Sequence, residues 1–491
     1  MTTNNKVRLT TQAIILLALL LTSCTPAATP NVIEKFITPF PSTPIVTPTT
    51  GRPQYAPGEL VDYNAQDGDT LPALATRFNT SIDQIRKANP VIPTDATTMP
   101  PGFPMKIPIY YLPLWGTQFK SIPDQAFVNG PSQVGFNTAA FLSGTNGWFK
   151  NYRTYAGDQN RVGAEVIDYV ATNYSISPRL LLAVLEYQTG ALTDPDPPSS
   201  RYLLGFRRSF YDTPYLQLVI AANTLNNGYY GWRAGQLTEF ELSDKTIIRP
   251  DPWQNAGSVA IQYYFSRLQI GSDFNASIGP SGLAQTYQTL FGDPWSDPPL
   301  LIPGSLQQPV LRLPFLPGNI WAYTGGPHTG WGTGAPFAAL DFAPATNKTG
   351  CYPAESDQYT VAMADGLVVR SSVDGVAIDL DKDGDERTGW VLYYLHIATQ
   401  DRIPVGQTVK AGDELGYPSC EGGEATGTHV HIARKYNGEW MLAGGIIPFS
   451  FEGWQVEAGS QAYAGWLKRD GGLITACVCA DAGTQVISET P

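Results

Sequence analysis

The stretch Gly427-Thr428-His429-Val430-His431-Ile432 places two histidines two residues apart in a run with β-branched side chains. Such a run predicts a β-strand, and residues i and i+2 of a strand point to the same face of a sheet. We therefore expect the two imidazoles side by side. Further apolar runs between Gly and Pro turns, at 366–370, 391–396 and 405–409, predict a β-rich, mostly antiparallel region from residue 301 to 491, with a C-terminal tail beyond about residue 460.

The four histidines of the chain all lie in this region, at His328, His396, His429 and His431. Imidazole is the side chain best suited to serve as a base and metal ligand near neutral pH. An open zinc site needs three protein ligands and one water. Asp341, within Ala338-Ala339-Leu340-Asp341-Phe342, is a candidate oxygen ligand. The pattern indicates a zinc site built from histidines and one aspartate.

These motifs resemble those of the lysostaphin-like and beta-lytic metallopeptidases. Gly325-Gly326-Pro327-His328 and Leu340-Asp341-Phe342 match their first motif with the longer spacing of the beta-lytic branch, and His429-Val430-His431 matches the second. The resemblance implies zinc binding by His328, Asp341 and His431. It assigns His429 as general base and His396 as stabiliser of the transition state. It also implies an endopeptidase that cuts peptide cross-links or stem peptides of peptidoglycan.

The length and net charge of the chain indicate its domain number and exclude one class of partner. A chain of 491 residues is too long for one core, so we expect a multidomain α+β protein. The formal net charge of −12 argues against a nucleic-acid partner, because such partners normally require a basic patch.

The N-terminus predicts export. Lys6 and Arg8 precede an apolar run at 13–21 that is too short to span a bilayer, which is typical of a secretory signal. Leu21-Thr22-Ser23-Cys24 resembles the lipobox of bacterial lipoproteins, which implies a signal peptide over 1–24 and lipidation of Cys24. The alternative is an ordinary signal peptide. We therefore expect an extracytoplasmic protein anchored by lipid to the membrane, facing the cell wall.

Residues 25–58 contain eight prolines among Thr, Ala and Ser, and this composition predicts an extended linker. Residues 59–110 then show a βααβ pattern with a Gly-Asp-Thr-Leu opening at 68–71 and an Ile-Pro close at 107–108. This run resembles a LysM module, which implies binding to the N-acetylglucosamine-containing glycan of peptidoglycan. A small module that only packs against its neighbours is the alternative.

Residues 111–300 predict a helical domain. Ser177-Pro178 is a helix start, and the apolar face that follows ends at Glu186-Tyr187-Gln188-Thr189-Gly190. This helix resembles the catalytic helix of lysozyme-like lytic transglycosylases, which makes Glu186 a candidate acid for protonating a glycosidic oxygen. An all-α domain that only positions substrate is the alternative.

Two side motifs remain. Asp379, Asp381, Asp383 and Asp385 alternate around Gly384, as in calcium loops, although an acidic solvated hairpin explains them equally well. Cys351 and Cys420 flank the metal motifs and are expected to form a disulfide in an oxidising compartment. Cys477-Val478-Cys479 is too tight to pair comfortably within itself, so the state of these two cysteines stays open.

The combined expectation is a three-domain wall hydrolase with Zn²⁺, and with Ca²⁺ as a second candidate ion. Two alternatives stay open. One is a non-catalytic wall-binding lipoprotein that activates another hydrolase, and the other is a glycan-cleaving enzyme that uses Glu186.

Overall fold

The computed structural model describes residues 52–110, 115–346 and 348–489. These residues belong to one compact unit. The candidate signal peptide, Cys24 and most of the proline-rich linker lie outside the described residues. Among the described residues, no helix combines the length and the apolar character that a membrane crossing requires.

The first module has the expected βααβ order. It comprises β1 (Glu59–Asn64), α1 (Leu71–Arg77), α2 (Ile82–Ala88) and β2 (Pro104–Ile109). The hydroxyls of Thr70 and Ser81 cap the two helices by accepting hydrogen bonds from backbone amides in the first turns. The strands β1 and β2 pair antiparallel over a core that includes Phe78 and Ile107.

This module packs firmly against the rest of the chain. Thr98 donates a hydrogen bond of 2.7 Å to the Pro303 carbonyl, and Arg77 donates one of 3.1 Å to the Trp232 carbonyl. Arg233 donates to the Asp67 carbonyl from the other side. The module is therefore an integral part of the fold.

The middle region is mainly helical. Its described elements are α3 (Asp124–Phe127), α4 (Thr138–Ser143), β3 (Arg153–Ala156), β4 (Gln159–Val162), α5 (Gly163–Tyr174), α6 (Pro178–Thr189), α7 (Pro214–Arg233), β5 (Phe240–Glu241), β6 (Ile247–Ile248), α8 (Ala256–Ser266), α9 (Gly271–Ile278) and α10 (Leu283–Phe291), with short 3₁₀ turns at Pro131–Gln133 and Trp148–Asn151. The predicted start of α6 is confirmed, because Ser177 accepts a hydrogen bond from the Leu180 amide and Pro178 occupies the first turn.

The expectation of an all-α middle region is wrong in detail. Two short antiparallel hairpins, β3–β4 and β5–β6, interrupt the helices. In the first hairpin the turn runs through Gly157, whose φ of +61° suits glycine, and β-prone Thr154 and Tyr155 precede it. These segments are too short to carry a periodic strand signal.

The C-terminal region is β-rich. Its strands are β7 (Ile320–Thr329), β8 (Phe337–Pro344), β9 (Thr360–Val361), β10 (Gly366–Ser372), β11 (Gly375–Asp379), β12 (Trp390–Leu395), β13 (Thr408–Val409), β14 (Glu414–Gly416), β15 (Val430–Tyr436), β16 (Glu439–Trp440), β17 (Ser450–Phe451), β18 (Trp454–Ala458), β19 (Gly465–Arg469), β20 (Gly472–Thr475) and β21 (Gln485–Ile487), with a 3₁₀ turn at Ala482–Thr484.

One antiparallel sheet organises this region. Its strand order is β13-β10-β11-β12-β15-β8-β7-β21, and β16 pairs with β15 beside it. The two faces of the sheet enter different cores. Val430 and Ile432 of β15 join a core within the C-terminal region, whereas Ala433 joins the core of the middle region. The helical region therefore packs on one face of this sheet.

The segment after residue 460 is more than a tail. Strands β17 to β20 form a second, four-stranded antiparallel sheet, and β21 pairs with β7 at the edge of the main sheet. Alternating apolar residues such as Trp454 and Val456, both buried, support this sheet from within.

Candidate metal centre and active site

His328, Asp341 and His431 meet on one face of the main sheet. Asp341 on β8 is directly opposite His431 on β15, so their side chains lie on the same face. On β7 the register shifts between Gly325 and His328, which places His328 opposite Ala339, two residues from Asp341. A side chain at Gly325 would collide with the Asp341 carboxylate, since an added Cβ would lie 2.4 Å from Oδ2.

The three side chains form a compact triangle of donor atoms. His328 Nε2 and His431 Nδ1 are 3.0 Å apart, and each lies 3.3 Å from Asp341 Oδ1. All three residues are buried, and Asp341 Oδ1 has no hydrogen-bond partner among the described residues. Two nitrogens and one carboxylate oxygen in this arrangement are the ligand types of a zinc ion.

Each of the four histidines is oriented by a backbone carbonyl. His328, His396 and His429 engage the carbonyls of Gly326, Glu421 and Gly427 through Nδ1 at 2.7–2.8 Å. His431 engages the Gly330 carbonyl through Nε2 at 3.1 Å. Because a carbonyl can only accept, the engaged nitrogen carries a proton, and in the neutral ring the other nitrogen presents a lone pair.

His429 and His396 lie beside the triangle. His429 Nε2 is 3.8 Å from Asp341 Oδ1, as expected for residues i and i+2 that share a face with His431. The His396 ring centroid is 4.4 Å from that of His429. His396 follows the last residue of β12 and has a φ of +63°, a conformation that is rare for residues other than glycine. This local strain turns its ring toward the site.

Burial and mutual charge shift the ionisation of these groups. Burial, together with the neighbouring His429 and His431, lowers the pKa of His396 to about 3. Burial also lowers the pKa of His431. For Asp341, burial alone would raise the pKa, but the histidines around it hold the pKa well below its usual value. Burial alone would lower the pKa of His328, but the charge and hydrogen bonding of Asp341 raise it. The site therefore sets an ionised carboxylate among histidines, which suits cation binding.

A disulfide stabilises the loops behind the histidines. Cys351 and Cys420 are joined, as the sequence predicts. Cys420 precedes Glu421, whose carbonyl orients His396. On the other side of the disulfide, Tyr352 follows Cys351. Thr428 Oγ1 donates to the Tyr352 carbonyl at 2.6 Å and accepts from the Tyr352 amide at 2.8 Å. The structure also joins Cys477 and Cys479, a pairing that the sequence leaves open.

Tyr463 is a site residue that the sequence motifs do not reveal. Its ring stacks on His328 with centroids 4.2 Å apart and an angle of 17° between planes. Its amide donates to the Pro327 carbonyl, and its own carbonyl accepts from Gly326. A signal for it does exist: alternating apolar residues at 454–458 and 465–469 flank a Gly-containing turn, and this pattern predicts a hairpin.

The remaining candidates lie apart from this triangle. Glu186 lies on helix α6, and both of its carboxylate oxygens are engaged by the loop that follows the helix. They accept from the Leu192 amide at 2.7 Å and the Thr193 hydroxyl at 2.6 Å. Asp379, Asp381 and Asp383 bring carboxylate oxygens within 4.8 Å of one another. Asp385 instead pairs with Arg387 at 2.6 Å.

Two family models match the chain. The model described as LasA, N-terminal domain matches residues 120–305, and that of the LysM domain matches residues 63–108. Protease LasA of Pseudomonas aeruginosa strain UCBPP-PA14 is 28% identical over 363 residues, which cover 69% of this chain and 78% of the relative. Protease LasA of strain PAO1 is 28% identical over 323 residues, covering 61% and 72% respectively.

Similar solved structures include the M23 metalloprotease pseudoalterin from the deep sea, with 24% identity, coverage of 34% of this chain and 96% of that one, and a TM-score of 0.29. The catalytic domain of lysostaphin from Staphylococcus simulans has 20% identity, coverage of 25% and 87%, and a TM-score of 0.18.

The predicted LysM module is confirmed by its family model. The middle region matches the LasA N-terminal model, and its resemblance to lytic transglycosylases stays a prediction. The similarity to protease LasA extends over most of both chains. With its LysM module and a LasA-type N-terminal domain ahead of the β-rich region, the chain is a metalloendopeptidase related to protease LasA.

Proposed function

We propose that the protein is a zinc-dependent endopeptidase that hydrolyses peptide cross-links or stem peptides of peptidoglycan. The observation that carries the proposal is the buried Asp341 Oδ1, which has no hydrogen-bond partner among the described residues and lies 3.3 Å from a ring nitrogen of both His328 and His431. An orphaned buried carboxylate oxygen between two lone pairs is costly unless a cation joins them.

The residues fit zinc. Two donors at about 2.1 Å from a tetrahedral ion lie about 3.3–3.4 Å apart, close to the spacings of this triangle. The proton-bearing nitrogens of His328 and His431 are held by the carbonyls of Gly326 and Gly330. Such outer-shell bonds fix the tautomer and orientation of zinc-binding histidines. Bound zinc would supply Lewis acidity, polarising the scissile carbonyl and acidifying a water molecule.

His429 is proposed as the general base. Its Nδ1 bonds the Gly427 carbonyl, so its Nε2 presents a lone pair on the side of Asp341. That nitrogen can take the proton of the attacking water. After the attack, the same nitrogen can return the proton to the leaving amine.

His396 is proposed to stabilise the transition state, with one refinement. In the neutral ring its Nδ1 proton is engaged by Glu421, so Nε2 accepts rather than donates. His396 can hold a developing oxyanion only once Nε2 has taken up a proton from solvent water. Developing negative charge next to the ring favours that protonation.

The LysM module supports a wall substrate, because modules that resemble it bind N-acetylglucosamine-containing glycans. The lipid anchor at Cys24 lies outside the described residues and is proposed from the lipobox alone. Mass analysis of the mature N-terminus checks it: a lipid-modified Cys24 is expected, and an unmodified exported protein points to an ordinary signal peptide.

Calcium binding by the acidic loop is a separate prediction. Asp379, Asp381 and Asp383 offer the oxygens, while the ion pair of Asp385 with Arg387 removes the fourth carboxylate. A rise in melting temperature with Ca²⁺ that is lost in Asp381→Asn supports a calcium site. Equal melting temperatures with and without Ca²⁺ favour a solvated hairpin.

Digestion of purified peptidoglycan by the full chain tests the main proposal. We expect new free amino groups from cut peptides, dependence on zinc, and their loss in His429→Ala. Glu186→Gln is the matched control for the glycosidase alternative and should leave the peptide products unchanged. Anhydro-sugar products that disappear in Glu186→Gln would instead identify a transglycosylase. No products, from a protein free of zinc, would favour the non-catalytic activator.

A further inference from the structure

The loop Gly330–Ala335 joins the two strands that carry His328 and Asp341. Its backbone forms hydrogen bonds with side chains of helix α7 in the middle region. We propose that Asn223 and Asn227 of α7 are positioning residues, which hold this loop so that its first carbonyl orients His431. This inference rests on the proposed zinc site and adds a role for the middle region in forming it.

The two asparagines lie one helical turn apart, so they share a face of α7. Asn223 Oδ1 accepts a hydrogen bond of 2.8 Å from the Thr333 amide. Asn227 Oδ1 accepts one of 2.7 Å from the Ala335 amide. Asn223 Nδ2 donates to the Val219 carbonyl at 3.0 Å, which fixes its amide with the oxygen toward the loop.

Two glycines show how closely the loop approaches the helix. A Cβ at Gly332 would lie 2.4 Å from Asn223 Oδ1 and 2.6 Å from the Tyr174 ring. A Cβ at Gly334 would lie 2.2 Å from Asn227 Oδ1. Both have positive φ, at +82° and +88°. The sequence of this loop is therefore fitted to the two asparagines.

The other end of the loop contacts the triangle formed by His328, Asp341 and His431. The Gly330 carbonyl accepts the hydrogen bond of 3.1 Å from His431 Nε2, which turns Nδ1 toward His328 and Asp341. Gly330 also packs against the Trp440 ring, where an added Cβ would lie 3.0 Å from it. The contacts thus run from α7 through the loop to a ligand, and loosening the loop should weaken zinc binding.

Zinc affinity of the full chain, measured by competition with a chromogenic chelator, tests the inference. Changes to outer-shell partners of zinc ligands typically cost about 10–100-fold in affinity. The asparagines act one step further out, so we expect a loss of roughly three- to tenfold in the double variant Asn223→Leu and Asn227→Leu. Asn227→Asp keeps the acceptor oxygen and should stay within about twofold of the wild type.

Tyr169→Phe is the matched control. It removes a 2.9 Å hydrogen bond to Asp374 across the same interface, away from the loop, and should leave zinc affinity unchanged. If the double variant fails to fold, Asn227→Leu compared with Asn227→Asp decides the question. Unchanged zinc affinity in folded Asn227→Leu and in the double variant overturns the inference while the hydrolase proposal stands. A wild type that binds no zinc overturns both.

Discussion

His328 Nε2 and His431 Nδ1 lie 3.0 Å apart, although the two histidines are 103 positions apart in the chain. Their other nitrogens engage the carbonyls of Gly326 and Gly330, so in the neutral rings two lone pairs face each other next to the ionised Asp341. Lone pairs directed at one point repel unless a cation lies between them. This relationship leads directly to the first prediction.

Asp341→Asn should abolish zinc binding and lower hydrolysis at least about 100-fold, because a neutral amide replaces the charged ligand. Metal content by mass spectrometry and release of amino groups measure the two effects. Asp381→Asn is the matched control, since it makes the same change in the acidic loop, and it should keep about one zinc per chain. Zinc retained at wild-type affinity in Asp341→Asn would show that the triangle is not the metal site.

His429→Ala and His396→Ala should separate catalysis from metal binding. Both variants are expected to keep zinc, because neither ring belongs to the triangle. General base catalysis typically contributes about 10²–10⁴-fold, so kcat of His429→Ala should fall by that factor. In His396→Ala we expect a lower kcat with little change in KM, as for an interaction made only in the transition state. Loss of zinc from either variant would identify that histidine as a ligand instead.

Local strand geometry predicts only part of the site, and the grouping of His328 and Asp341 with His431 rests on the family resemblance. The i, i+2 spacing of His429 and His431 fixes a shared face without knowledge of the tertiary structure. The outer partners could not be predicted in this way. The carbonyls of Gly330 and Glu421 carry no side-chain signature, and Tyr463 reaches His328 through a second sheet that follows the main one.

In the fold, too, local features could be predicted from the sequence and long-range contacts could not. The capped helices of the first module were predictable, since Thr70 and Ser81 precede apolar helical runs. The docking of that module was not, because it depends on contacts such as Thr98 with Pro303, which lie far apart in the chain. Two-residue strands such as β5 and β6 are likewise too short for periodicity to indicate.

The two disulfides should differ sharply in their effect on stability. Cys351 and Cys420 close a loop with a sequence separation of 69, for which loop-closure entropy gives about 4 kcal/mol. Cys477 and Cys479 have a sequence separation of 2, for which loop-closure entropy gives about 1 kcal/mol. Urea unfolding of the two double Cys→Ser variants measures the difference. The first variant should also lose hydrolytic activity, since Glu421 beside Cys420 orients His396. Equal stability of the two variants would contradict this account.

Arg233 should be a stability determinant that ties the regions together. It is 8% exposed and forms a two-bond ion pair with Glu439 at 2.8 and 2.9 Å. It also lies 3.2 Å from Asp124. Arg233→Met leaves two buried carboxylates unpaired and should lower the free energy of unfolding by roughly 3–5 kcal/mol.

Adding Glu439→Gln to Arg233→Met should recover part of that loss, because one unpaired charge is removed. Lys245→Met is the control: it breaks an exposed ion pair with Glu241 and should leave the free energy of unfolding nearly unchanged. Urea unfolding gives all three values. A loss for Arg233→Met as small as that of the control would show that the buried cluster contributes little.

Asp67 should make stability depend on pH. Burial, only partly offset by Arg233, raises the pKa of Asp67 to about 6. The unfolded chain releases this proton near pH 4, whereas the folded chain holds it until about pH 6. The group therefore lowers stability as pH rises from about 4 to 6, and the full loss persists above pH 6.

Asp67→Asn removes this titration and keeps an oxygen that can accept from Gln125. The variant should be close to the wild type at pH 4 and more stable at pH 7, by at most roughly 3 kcal/mol. Urea unfolding at both pH values measures the difference in free energy of unfolding between the variant and the wild type. If that difference for Asp67→Asn is the same at pH 4 and pH 7, Asp67 does not titrate differently in the folded and unfolded chains.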